Sequence, residues 1–149
     1  MTATNILKWK PTNYKNEGDA REWAVCGSKG IERVKHDAGA YDTSSDVNCG
    51  STHISVKASK FSLMSGSLCE GLENFDAIWN LYESKCHSNT WVYVTADYIA
   101  YEMNMNEFEQ FVYEFCKLER ESEKNGGAMK IRCKAESKKM LKWLAERAK

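Results

Sequence analysis

Proline is almost missing from this chain, with one residue in 149. No stretch is of low complexity, so little disorder is expected. No apolar run approaches the roughly 20 residues that a membrane-spanning helix needs. Met1 to Lys10 lacks the apolar stretch of a signal peptide. These absences predict a soluble, cytoplasmic chain with little disorder. Cysteine occurs six times, at Cys26, Cys49, Cys69, Cys86, Cys116 and Cys133, but never as a CxxC pair. A structural zinc site shows closely spaced ligand pairs, and Cys86-His87 alone does not make one. The scattered thiols are therefore read as reduced and mostly buried. Ser28-Lys29-Gly30 and Gly126-Gly127 lack the full phosphate-loop pattern, and no nucleophile elbow is present.

Net charge is also absent: 21 basic side chains balance 21 acidic ones. The distribution is uneven, however. Residues 1–68 carry nine Lys/Arg and seven Asp/Glu, residues 69–128 carry four and twelve, and residues 129–149 carry eight and two. An acidic middle followed by a basic tail allows a surface that faces phosphate, although it equally describes a solvated helix face.

What is present in quantity is apolar side chain, 42% of the residues, enough for the core of one domain. Residues 1–18 read as an extended arm anchored by Trp9 and Tyr14. Residues 19–149 read as a single α/β domain. Asp19 to Gly27 predicts a short helix capped by Asp19, and Ile31 to His36 a weakly patterned strand. Asp46 to Cys49 and Thr52 to Ser59 predict a hairpin about Gly50-Ser51. Because strand side chains alternate, Ile54 and Val56 share one face and Ser55 and Lys57 the other. Ser67 and Glu70 have the spacing of a capping box, ahead of a helix with Leu72, Phe75, Ile78, Trp79 and Tyr82 at helical intervals. Trp91 to Thr95 and Tyr98 to Met103 predict strands. Asn106 with Glu109 predicts the cap of a helix bearing Phe108, Phe111, Val112, Phe115 and Leu118. Met129 to Lys134 predicts a strand, and Met140, Leu141 and Leu144 mark a last helix. The order predicts a sandwich with a mixed central sheet flanked by helices.

The residues with chemistry to offer centre on Asp46 and Lys57. Phosphodiester hydrolysis requires a divalent ion held by carboxylates, where it polarises the phosphate and activates water. Mg²⁺ suits such a site because it takes oxygen ligands and keeps several waters. A neighbouring lysine stabilises the developing charge. The stretch Asp46-Val47-Asn48-Cys49-Gly50-Ser51-Thr52-His53-Ile54-Ser55-Val56-Lys57 resembles the motif of the PD-(D/E)XK nucleases, the restriction-endonuclease-like superfamily. That pattern is an Asp at a strand start, a hairpin, then Asp or Glu, any residue, and Lys. An upstream helix often adds a Glu, a place that Glu22 matches. The order of elements over residues 19–95 fits the family core.

Two positions depart from the pattern. No Pro precedes Asp46, and Ser55 stands where the second acid belongs. In Ser-x-Lys members of the family the missing acid comes from the next helix, for which Glu70, or else Glu73, has the spacing. The resemblance thus implies a Mg²⁺- or Mn²⁺-dependent endonuclease of prokaryotic or phage origin acting on DNA. Asp46, Glu22 and Glu70 would be its metal ligands, and Lys57, Asp46, Glu70, Glu73 and Ser55 its catalytic set. A homodimer would suit a duplex, which has two strands to cut. Lys60, Lys130, Arg132 and Lys134 are candidate contacts to the nucleic-acid backbone. Because Ser55 is not an acid, the alternative is a non-catalytic nucleic-acid-binding or protein-interaction module on the same fold. Glu70 also has a second reading, as no more than the capping partner of Ser67. His36, His53 and His87 lack spaced partners and are read as structural or surface residues.

Overall fold

The computed structural model describes residues 1–33, 47–49, 52–64, 69, 71–122 and 127–148 and, at residues 47–49 and 52, the backbone alone. It is a mixed α/β fold. The strands are β1 (Thr2–Asn5), β2 (Val47–Cys49), β3 (Thr52–Lys57), β4 (Ser62–Leu63), β5 (Thr90–Val94), β6 (Ile99–Met103), β7 (Cys116–Arg120) and β8 (Met129–Cys133). The helices are α1 (Glu17–Lys29), α2 (Phe75–Lys85), α3 (Met105–Phe115) and α4 (Lys138–Arg147). A five-stranded sheet has the order β1-β6-β5-β3-β2, and a three-stranded sheet has the order β4-β8-β7. Only β3 and β5 pair in parallel, with α2 between them in sequence; every other described pairing is antiparallel.

The central strand β5 reads Thr-Trp-Val-Tyr-Val, the β-branched and aromatic composition that suits a strand covered on both faces. Its two faces meet different cores. Val92 and Val94 join Ile54, Ala100, Ile6 and the α1 residues Ala24, Val25 and Cys26. Trp91 and Tyr93 join Met103, α2 (Ile78, Trp79, Tyr82), α3, Ile131 and Cys133 of β8, and Met140 and Leu144 of α4. The five-stranded sheet is therefore sandwiched between α1 on one side and α2, α3, the small sheet and α4 on the other. Phe108 lies at the centre of the larger core, its ring 5.4 Å from Trp91, 5.9 Å from Phe61 and 6.0 Å from Trp79.

Local chemistry fixes the helix ends. Asn16 caps α1 through Asp19 N, and Gly30 closes it in the left-handed region (φ 65°) where a Cβ would be strained. Asn104 and Glu107 form a reciprocal capping box on α3. Ser137 caps α4. Among the described residues no helix is long and apolar enough to cross a membrane.

Several expectations shift. Residues 1–18 are not an arm: Thr2–Asn5 pair with β6 and Ile6 is fully buried. Polar residues can form an edge strand because only one side needs a partner. α1 starts at Glu17 with Asn16 as its cap, and Asp19 lies inside it. Among the described residues Ile31 to Arg33 have no strand partner, and residues 34–36 lie outside the described residues. α2 begins at Phe75, capped by Asn74, and not at Ser67; Ser67 and Glu70 lie outside the described residues. α3 is capped two residues earlier than expected, and its end is followed at once by β7, so Leu118 is a strand residue.

Candidate functional site at the carboxyl ends of the parallel strands

In open α/β sheets, ligand sites gather beyond the carboxyl ends of parallel strands. Here those ends belong to β3 and β5. The register sets Ser55 opposite Trp91 and Lys57 opposite Tyr93, so these four side chains share the face toward α3, while Ile54 and Val56 face α1. The β2–β3 hairpin forms as expected, with Val47 opposite Ile54 and Cys49 opposite Thr52. Asp46 lies outside the described residues.

Ser55 is 2% exposed, and its Oγ lies 2.5 Å from Ser88 Oγ. Its hydroxyl is thus satisfied inside the protein. Lys57 differs. It is half-buried and makes no ion pair among the described residues, and the Phe61 ring lies 6.0 Å from its Nζ. Desolvating an ammonium without a counter-charge is costly, which makes an anion at this position favourable. The turn after it places Lys60, exposed, in the left-handed region (φ 62°), and Phe61 N closes on Ala58 O at 3.2 Å.

An acid not singled out from the sequence stands at the same sheet end. Glu136 accepts from Tyr93 Oη at 3.0 Å and from Ala96 N at 3.2 Å, and its own N–H donates to Ser59 Oγ at 2.9 Å. Burial, reinforced by the Glu136 charge, pushes the Tyr93 phenol well above its ordinary value, so it stays protonated and donates. Glu136 precedes α4 and lies in no motif. Its one sequence signal is that, apart from Glu146, it is the sole acid in the basic stretch 129–149. Glu136→Ala is expected to leave Tyr93 Oη and Ala96 N without their acceptor and to lower stability by about 1–2 kcal/mol, measured by urea denaturation; a midpoint equal to the parent's would show that water replaces the carboxylate fully.

Beside it, the β5–β6 turn holds Tyr98 buried at φ 61°, a conformation that non-glycine residues adopt rarely. Its hydroxyl donates to Glu17 at 3.2 Å, and the ring lies under Lys10 Nζ (5.0 Å) and the Arg21 guanidinium (5.4 Å). Tyr14, also donating to Glu17, together with these cations, holds the Glu17 carboxyl below its ordinary value.

The remaining candidates are dispersed. Glu22 lies on α1, across the sheet from Lys57, and pairs with Arg33 at 3.2 Å; Arg33 also holds Asp19 at 2.7 Å. Glu73 precedes α2, is exposed, and pairs with Arg120 of β7 at 3.1 Å. Glu70 lies outside the described residues. Lys130 is 8% exposed and pairs with Glu121 at 3.1 Å, so it is committed within the small sheet. Arg132 donates to Ser62 Oγ at 3.3 Å, and Lys134 is exposed. Among the described residues no three His, Cys, Asp or Glu side chains converge to hold a metal ion. No protein-family model, curated protein or solved structure matches this chain.

Proposed function

We propose that this chain is a metal-dependent nuclease that hydrolyses phosphodiester bonds, with DNA as substrate and Lys57 at its reaction centre. The observation that carries this reading is Lys57 itself. It is a half-buried ammonium at the carboxyl end of a parallel strand, directly after a hairpin, with no carboxylate paired to it among the described residues. Asp46 and Glu70 would hold Mg²⁺ or Mn²⁺, and the ion when bound would supply Lewis acidity toward the phosphate. Glu22, tied to Arg33 on the opposite side of the sheet, is left out of this set, as is Glu73. Lys57 supports the chemistry by placing positive charge where the attacked phosphate gains negative charge. Lys60 and Lys134, both exposed, are free of ion pairs among the described residues and suit backbone contacts. A homodimer that presents two such centres remains part of the proposal.

The test is incubation with duplex DNA, single-stranded DNA and RNA in Mg²⁺, in Mn²⁺ and in excess chelator. Cleavage in either metal that stops on chelation is expected, and Glu70→Gln is expected to lower it by at least tenfold with little change in melting temperature. Cleavage at full rate in chelator would rule out the metal mechanism.

One observation favours a second reading, a binding module without catalysis: Ser55 is buried and bonded to Ser88, so the strand supplies no acid. Salt-dependent binding of nucleic acid with no cleavage in either metal would select it.

A further inference from the structure

Among the described residues Cys69, Cys86, Cys116 and Cys133 are free thiols. Two of them are direct neighbours. β7 and β8 run antiparallel, with Cys116 opposite Cys133 at the start of one strand and the end of the other. The hydrogen bonds show which kind of pair this is. Lys134 N donates to Phe115 O at 2.9 Å, one step outside the pair, and Cys133 N turns the other way, to Phe61 O at 2.8 Å. Cys116 and Cys133 therefore form a non-hydrogen-bonded pair, the antiparallel position where Cα atoms approach to about 4.5 Å and side chains lie closest. That separation falls within the range a disulfide spans, about 4.4–6.8 Å. Both cysteines are buried in the same core.

We propose that Cys116 and Cys133 are a redox site, able to close a reversible disulfide that staples β7 to β8. A small-molecule disulfide such as oxidised glutathione serves as the oxidant. One thiol loses its proton and its sulfur attacks the oxidant, expelling one glutathione thiolate and leaving a mixed disulfide. The second thiol then loses its proton and attacks the protein sulfur of that bond, expelling the second thiolate. The protein gives up two electrons and two protons, and the oxidant becomes two thiols. The hydrogen bond to Cys133 and burial hold the Cys116 thiol well above its ordinary value, and Cys133 is 1% exposed. The exchange is accordingly slow and requires local opening of the hairpin. The staple has a local consequence, because β8 leads within three residues to Glu136, which ties α4 to Tyr93 and Ser59.

The experiment equilibrates the intact, reduced protein with oxidised glutathione, blocks the remaining thiols by alkylation and maps peptides by mass spectrometry without reduction. The expected result is one linkage joining the Cys116 and Cys133 peptides, a mass loss of about 2 Da and a melting temperature higher by roughly 5–10 °C, reversed by dithiothreitol. Cys116→Ser and Cys133→Ser should each remove the linkage. Recovery of both cysteines in separate alkylated peptides, or in linkages to other cysteines, overturns the proposal.

Discussion

Lys57→Ala is expected to lower the rate of DNA cleavage by roughly 10²–10³-fold, the loss that follows removal of a group stabilising transition-state charge. The melting temperature should stay within about 2 °C of the parent. Lys57 ends β3, is half-buried and makes no ion pair among the described residues, so its truncation strands no described counter-charge. The strand itself is held by its register with Val92 and Tyr93 on β5 and by Ile54 in the core beneath α1. Single-turnover cleavage and thermal melting on the same preparation make the check. A fall in rate accompanied by a matching loss of stability would assign Lys57 a structural role, and parent-like turnover would remove it from the centre.

Phe108→Ala is expected to have the largest effect on stability. Phe108 is 1% exposed, and its ring meets Phe61, Trp79, Tyr82 and Trp91 within 6.3 Å. These neighbours come from a turn, α2 and the central strand, so no single movement can refill the space. The loss should be about 3–5 kcal/mol, or a melting temperature lower by roughly 10–15 °C for a chain of this size. Urea denaturation would show a lower midpoint with an unchanged slope. A loss under 1 kcal/mol would mean that the aromatic cluster collapses around the gap.

The parts of this fold that were legible in the sequence are those where one periodicity acts alone. Trp91 to Val94 and Met129 to Cys133 are strands as expected, because dense β-branched or alternating side chains leave no helical alternative. Phe108, Phe111, Val112 and Phe115 mark the buried face of α3 for the same reason. Capping signals were less decisive. Ser67–Glu70 has the spacing of a capping box, but α2 starts at Phe75 behind Asn74, whose own side chain accepts from Ala77 N; Ser67 and Glu70 lie outside the described residues. The edge strand at Thr2–Asn5 carries no apolar pattern at all, since its pairing with β6 is made by the backbone. Leu118 fitted the helical stripe by spacing, but pairing with Ile131 of β8 decides its strand.

The candidate site was legible to a similar degree. Alternation along β3 placed Ser55 and Lys57 on one face, as the register with Trp91 and Tyr93 bears out. What spacing did not disclose was the layer from which each acid comes. Glu22 sits at a suitable interval but on the helix beneath Ile54 and Val56, where Arg33 claims it. Glu73 is drawn to Arg120 of the small sheet. Glu136, about eighty residues beyond Lys57 in sequence, reaches the same sheet end through Tyr93 and Ser59, a long-range meeting that no local pattern encodes.

The Mg²⁺ dependence of single-turnover DNA cleavage, measured for the parent and for Asp46→Ala, distinguishes metal-dependent hydrolysis at this sheet end from a binding module without catalysis. The parent should show a rate that rises to a plateau with Mg²⁺ and vanishes in chelator. Asp46→Ala should show no plateau, or one lower by at least a hundredfold, with a parent-like melting temperature. Parent cleavage that ignores Mg²⁺ and Mn²⁺, or an Asp46→Ala curve that overlays the parent's, would contradict metal-dependent hydrolysis there.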